Sequence, residues 1–269
     1  MSFQLLTTPS SIGRVLDSGF KLFTSSFKTV LALVALSAVI SVVMQYAMTV
    51  IMIPDQPFTT MEQSQEYMAQ VMPVLMVVGT IFWIFNIAIY NAVLVRVGQY
   101  SVNDGGDLAD AIVIGVKKLL PVFLGMVLYM IAITLGSILL LIPGLILMLT
   151  LIFFQVLIVT EDVGIVESLK TSHRLVWGNY WRTAAVITIP IFIIYALIIV
   201  VALISGVMMA MDAPEMMADP SAAMNFGVAE AFGAALPAFL ISLMYSMYIV
   251  QVNDLKLRKS GDDLQQRLQ

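Results

Sequence analysis

The thirteen lysines and arginines of this 269-residue chain fall in four clusters, and the stretches between the clusters contain no basic residue at all. The clusters are Arg14, Lys21 and Lys28; Arg96, Lys117 and Lys118; Lys170, Arg174 and Arg182; and Lys256, Arg258, Lys259 and Arg267. The base-free stretches, 29–95, 119–169 and 183–255, are long, and most of their residues are apolar. A chain threaded through a lipid bilayer keeps its cationic connections on the cytoplasmic side. Each base-free stretch is long enough to cross and return. All four clusters then share one side, both termini lie there, and six crossings are expected.

A spanning helix needs about 20 apolar residues at 1.5 Å rise each. The candidates are residues 29–53, 71–95, 119–142, 144–160, 183–211 and 228–251, with no Asp, Glu, Lys or Arg deep inside them and Glu230 at the mouth of the sixth. With 60% hydrophobic residues, 11% charged and a mean hydropathy of +0.98, the chain has more apolar surface than a water-soluble domain can hide. The expected fold is all-α, a single polytopic membrane domain of six transmembrane helices with three amphipathic interfacial helices on the cytoplasmic side.

Charge is sorted by side under this topology. The outer loops hold Asp55, Glu62, Glu66, Asp212, Glu215, Asp219 and Glu230 without a base, and all thirteen bases lie inside. The inner face is suited to anionic headgroups, and no basic patch with interleaved aromatics points to nucleic acid. Cysteine is absent, which excludes disulfides and thiolate sites. The first apolar run is too long for a cleavable signal peptide and follows a charged amphipathic segment. The bacterial inner membrane, with both ends cytoplasmic, is the expected setting.

Each of the first three cytoplasmic segments reads as an amphipathic helix, over about 10–27, 107–118 and 164–178. The apolar faces are Ile12, Val15, Leu16, Phe23 and Phe27; Ile112, Val116 and Leu119; and Val166, Leu169 and Val176. Ser10-Ser11 and Asp107 are candidate caps. Aligning Leu16, Ile112 and Leu169 puts Lys21, Lys117 and Arg174 in register, which suggests a threefold repeat of interfacial helix and helical pair. A cation at headgroup depth suits any such helix. Between the third and fourth spans only Ile142-Pro143-Gly144 is available to reverse the chain, with Gly144 expected to supply a positive φ.

Residues that could carry chemistry are few. Coupled transport usually requires a charged group at membrane depth, whereas the polar groups here are neutral: Gln45, Tyr46, Asn86, Asn91, Tyr129, Gln155, Tyr195, Ser242, Tyr245, Ser246 and Tyr248. Gln45, Asn86, Asn91 and Gln155 can either hydrogen-bond across helices or line a polar pathway. Pro73, Pro121, Pro190 and Pro237 lie in or near spans, where helix breaks can frame a site. His173 is the only histidine, beside Arg174 and near Trp177 and Trp181, and has neither the ligands for a metal site nor the partners for a triad. Met208, Met209, Met211, Met216, Met217 and Met224 crowd the last outer loop; thioethers suit Cu(I), but flexible apolar filling explains them better. No catalytic residue, cofactor site or metal site is expected.

The region 143–182 reads Pro143-Gly144, an apolar span, Glu161-Asp162, Gly164, Ser168-Leu169, Ser172, Arg174-Leu175-Val176, Gly178 and Trp181-Arg182. It resembles the YciC-like family of uncharacterised bacterial inner-membrane proteins, and the related membrane domain of some glycerophosphodiester phosphodiesterases. The resemblance is good over these residues and loose elsewhere. It implies a multi-pass inner-membrane protein linked to envelope maintenance. No catalytic domain is expected in the residues after Gln251, so the phosphodiesterase activity does not carry over. The expected function is a non-enzymatic scaffold or regulator acting through lipid and protein contacts, with Lys21, Lys117, Arg174 and Arg182 as candidate contacts to anionic headgroups. The alternative is a permease or lipid-handling protein with a neutral polar pathway. Expected partners are membrane lipids and a membrane protein or a second copy of the chain.

Overall fold

A computed structural model describes the backbone of residues 3–52, 54, 58, 60–218 and 228–268, and their side chains except 208–209, 212–218, 228–230 and 262–268. Asp55, Asp219 and Met224 lie outside the described residues, as do the side chains of Asp212, Glu215, Glu230, Arg267 and methionines 208, 209, 216 and 217.

Among the described residues all regular structure is α-helical. The helices are α1 (Ile12–Ile51), α2 (Met61–Ser101), α3 (Leu108–Lys117), α4 (Leu119–Leu139), α5 (Leu141–Thr150), α6 (Phe154–Thr160), α7 (Ile165–Val176), α8 (Tyr180–Ala218) and α9 (Val228–Leu268). Six stretches are long and apolar enough to cross a membrane: Ile12–Ile51, Met61–Ser101, Leu119–Leu139, Leu141–Thr160, Tyr180–Val207 and Ala231–Gly261. The protein is thus all-α, with the helices of a multi-pass membrane protein.

Four of these helices are far longer than a bilayer requires. The 40 residues of α1 rise about 60 Å, against a hydrocarbon core of about 30 Å. The surplus is the polar part: Arg14, Asp17, Lys21 and Lys28 all precede the apolar stretch of α1. The amphipathic segment expected at 10–27 is therefore not a separate element. No glycine or proline interrupts Phe20–Ile51, and the helix runs on from it into the first span.

The chain forms two compact units. The first comprises Met1–Val34, Ile87–Ile193 and Leu240–Gln269; the second comprises Ala35–Asn86 and Ile194–Phe239. In the first unit α1 presents Val15, Leu22, Val30 and Val34 at helical spacing, and all are fully buried. α6 is enclosed almost all round: Phe153, Phe154 and Val156 through Val159 are buried. α3 approaches α2 closely because Gly115 lacks a side chain; a Cβ there would come within 2.7 Å of the Ala88 carbonyl oxygen. The second unit is built of long apolar helices whose Val39, Val43, Met76, Ile199 and Leu203 stay exposed, as a lipid-facing surface requires. Its interhelical polar bonds include Ser37 Oγ donating to Asn86 Oδ1 at 2.9 Å and Tyr67 Oη donating to the Ile51 carbonyl at 3.2 Å.

Helix ends follow sequence chemistry. Asp107 caps α3, its carboxylate accepting from the Leu108 amide at 2.6 Å. Asn103, Asp162 and Gly178 take positive φ just past α2, α6 and α7, the residue types that tolerate a left-handed stop.

The turn expected at 142–144 is corrected, and the fourth span stands with an interruption in its helix. The chain reverses at Leu140, whose extended backbone separates α4 from α5, and Pro143 and Gly144 lie inside the first turn of α5. Proline there forfeits no helical bond. Gly144 has no positive φ; its requirement is space, since a Cβ would meet Ser137 Oγ at 2.0 Å and the Ser137 amide nitrogen at 2.9 Å. The fourth candidate span is also broken, because Leu151–Phe153 form turns between α5 and α6.

Candidate functional site

The densest polar architecture lies at one end of the first unit, where α9, the start of α8, the end of α6 and the segment preceding α1 meet. Asp254 on α9 is fully buried. Its Oδ1 accepts from the Ser10 amide at 2.8 Å. Its Oδ2 accepts from Arg182 Nε at 3.1 Å and Arg258 Nε at 2.9 Å, and lies 2.9 Å from Arg182 Nη2 as an ion pair. Arg258 Nη2 donates to the Ser10 carbonyl at 2.6 Å, and Arg182 Nη2 donates to the same oxygen. One carboxylate and one carbonyl thus hold two guanidinium groups. A charge without water persists only when paired and hydrogen-bonded in this way. Beside it Gln251 Nε2 donates to Thr183 Oγ1 at 3.2 Å, while the buried Gln251 Oε1 has no partner.

The segment preceding α1 is tied across this end. Asn103 Nδ2 donates to the Phe3 carbonyl at 3.3 Å, and Asn253 Nδ2 donates to the Leu6 carbonyl at 2.7 Å. Beneath it is a cavity of about 350 Å³, with an apolar floor of Val95, Val156 and Ile249 and a polar rim including Ser101, Asp104 and Asn253. Lys256 and Glu161, which also line it, pair with each other.

Further into the same unit a neutral network links four helices, α2, α3, α6 and α9. Gln155 Nε2 donates to Asn91 Oδ1 at 3.2 Å and to Tyr245 Oη at 2.9 Å, and Asn91 Nδ2 donates to the Gly115 carbonyl at 3.3 Å. Nearby, the α5–α6 break is joined by one hydroxyl. Ser172 Oγ of α7 accepts from the Phe153 amide at 3.1 Å and donates to the Thr150 carbonyl at 2.7 Å. Non-helical backbone at membrane depth persists when protein groups satisfy it in this manner.

The expected site residues separate under this geometry. Asn91 and Gln155 bond to each other, Asn86 bonds to Ser37 in the second unit, and Gln45 is exposed. Lys21 is exposed and pairs with Asp17 at 2.7 Å. Lys117 is exposed. Arg174 is exposed and pairs with Glu167 at 2.6 Å. Arg182 is only 16% exposed and is engaged by Asp254 and Ser10. Lys118 bonds to Asp162, and that bond together with the ammonium charge holds the Asp162 carboxyl below the usual carboxylate range. His173 stacks near Trp177, ring centroids 5.1 Å apart.

Burial on the short helices also differs from the expected faces. α7 buries Ser168, Ser172, Leu175 and Val176 and leaves Val166 exposed; α3 buries Ala111 and Gly115 and leaves Ile112 and Val116 exposed. The small residues face protein because they permit close approach. The larger apolar ones on the other flank stay exposed.

Asp254 and the residues preceding α1 were missed by the sequence reading. Asp254 follows Gln251 just past the last apolar run, and the Asp254/Arg258 spacing of one helical turn was its available signal.

These features define an all-α, multi-pass type of membrane protein in which, among the described residues, most buried polar groups lie in the first unit. Residues 90–252 match the model of a domain of unknown function, DUF7847, and the chain belongs to that family. No curated protein matches the chain, and no solved structure does.

Proposed function

We propose that this is a non-enzymatic integral protein of the bacterial inner membrane, a scaffold or regulator that serves envelope maintenance through lipid and protein contacts. The observation that carries the reading is the disposition of the buried and half-buried polar side chains. Asn86, Asn91, Gln155 and Asp254 each bond a neighbour in their own unit, with the geometry of packing contacts and not of a shared pathway. The four basic clusters favour both termini on the cytoplasmic side. α3 and α7 then serve as interfacial helices, with exposed Ile112, Val116, Val166 and Trp181 in the acyl boundary and Lys21, Lys117 and Arg174 at headgroup depth. Arg182 is left out of that lipid-binding set because its Nε and Nη2 are engaged by Asp254 and Ser10. We read the DUF7847 family as a relation of the YciC-like membrane proteins on the motif over 143–182.

The test is lipid retention. Mild-detergent protein carrying Lys21→Gln, Lys117→Gln and Arg174→Gln should keep less cardiolipin or phosphatidylglycerol, by native mass spectrometry, with unchanged folding. Unchanged retention would refute the headgroup role. The second reading, a lipid-handling protein, is favoured by the cavity alone. It requires that Val102→Trp, which fills the cavity mouth from an exposed position, displace a co-purifying molecule that the triple variant retains.

A further inference from the structure

The cavity at the polar end of the first unit is too large for a packing defect and too apolar for a cluster of structural waters. Protein interiors hold few voids larger than one water, and its volume of about 350 Å³ is room for roughly ten waters at about 30 Å³ each. A buried water needs about 2–4 polar partners. The floor offers the side chains of Val95, Val156, Val159, Ile249 and Val252, all buried and none polar. The volume falls at the lower end of the range for small-molecule sites, about 300–1,000 Å³. The roof is held in place as well. Leu5 lines the cavity, and the carbonyls of Phe3 and Leu6, on either side of it, accept from Asn103 and Asn253. Asn103 makes its bond from a backbone at φ 56°, which asparagine tolerates.

The rim selects by head group. Its charged side chains are Asp104, Glu161 and Lys256. Glu161 and Lys256 pair with each other, so the charge left over is the Asp104 carboxylate, whose Oδ1 accepts from the Gly106 amide at 3.3 Å. The hydroxyls of Ser101 and Thr160, also at the cavity, donate to the carbonyls of Gly98 and Val156 in their own helices, each at 2.7 Å. They are left with lone pairs to offer. Two carboxylates against one ammonium, with acceptors between them, attract a cationic donor and repel a carboxylate or phosphate.

We propose that this cavity binds an amine-headed, single-chain amphiphile, its alkyl chain on the valine floor beneath Leu5 and its ammonium at Asp104. This ligand class rests on the lipid-handling reading above, which it narrows to one kind of head group.

The probes are dodecylamine and dodecanoate, each carrying a photoreactive diazirine in the chain, added to the full chain in phosphatidylcholine nanodiscs. Cross-linked peptides are mapped, and label on the exposed stretch of α8 around Ile199 and Leu203 measures how much of each probe the bilayer holds. Relative to that standard, the amine should label residues 95–104 and 249–256 several-fold more than the carboxylate does. Val102→Trp, placed at the mouth from an exposed position, should remove most of this label and leave that on α8 unchanged. Asp104→Asn keeps an acceptor for the Gly106 amide, sits at an exposed position and should bring the two probes close to equal labelling. Equal labelling by both probes in the wild type overturns the amine class, as does a preference that survives Asp104→Asn; a label still sensitive to Val102→Trp would then leave the lipid-handling reading standing. Label at 95–104 and 249–256 that Val102→Trp does not reduce, or none there from either probe, sinks the cavity as a site and that reading with it.

Discussion

Arg174 and Arg182 belong to one short motif, and nothing in their residue type separates them. Arg174 is 68% exposed and bonds Glu167, itself 53% exposed, along one face of α7. Arg182 is 16% exposed and bonds Asp254, which is wholly buried, across to α9. Both are guanidinium–carboxylate pairs at short distance. The first is a surface pair that water and salt can replace, and such pairs contribute about 0–1 kcal/mol. The second holds a carboxylate with no access to water, so losing either partner leaves an uncompensated charge. Burial, more than charge, decides which arginine is structural and which is free to meet a lipid.

The largest expected effect is at the buried end of this comparison. Asp254→Asn should destabilise the protein by about 3–5 kcal/mol, because two half-buried guanidinium groups lose their counter-charge. Arg182→Gln should approach the same loss, and both should appear as lower melting temperatures in detergent. Arg174→Gln should leave the melting temperature within error and reduce retained anionic lipid. Equal loss of stability at 174 and 182 would end the distinction.

Ser172→Ala tests whether a neutral group acquires the same weight when buried. It strips partners from the Phe153 amide and the Thr150 carbonyl at once, and a buried unpaired group costs about 1–3 kcal/mol. Ser172→Thr, which retains the hydroxyl, should recover part of that loss if the added methyl fits. A stable Ser172→Ala protein would mean that the α5–α6 break is held by packing alone. Gln155→Leu should cost less, about 1 kcal/mol, since interhelical bonds in membranes average near that value and leucine fills the space.

Much of the fold was legible because it depends on residue order along one helix. The six apolar runs, the Asp107 cap and the helix stops around Asp162 and Gly178 follow from local chemistry. Contacts that depend on three-dimensional register were not legible. Gly144 was singled out correctly and explained wrongly, since its role is the approach of α4 and not a left-handed turn. The amphipathic faces of α3 and α7 were assigned by apolarity, whereas the protein-facing residues include Ala111, Gly115, Ser168 and Ser172, with Leu175 and Val176 beside them on α7. In lipid the small residue faces the neighbour and the large one faces the bilayer, the reverse of the rule for water. The Asp254/Arg258 spacing offered a local pair, but no local pattern announces a second partner 72 residues away.

The smallest effect should be at the exposed end, where Lys118 bonds Asp162. The Asp162 carboxylate is 89% exposed, and its pKa is lowered first by the Lys118 hydrogen bond and then by the ammonium charge. A carboxyl whose folded-state pKa is depressed adds stability above its unfolded value, and that stability is lost as pH falls through the folded value. The contribution should therefore be present at neutral pH, fade below the usual carboxylate range and shrink in salt, because the carboxylate is open to water although Lys118 is only 17% exposed. Asp162→Asn isolates the charge cleanly: asparagine accepts the positive φ of 55° at this position as readily as aspartate does. At low salt the wild type should hold a slight advantage in melting temperature near pH 7 that vanishes on acidification, and at high salt the two proteins should melt together. A loss at Asp162→Asn as large as that at Asp254→Asn would mean that exposure does not discount the ion pair, and the contrast drawn between the two arginines would fall with it.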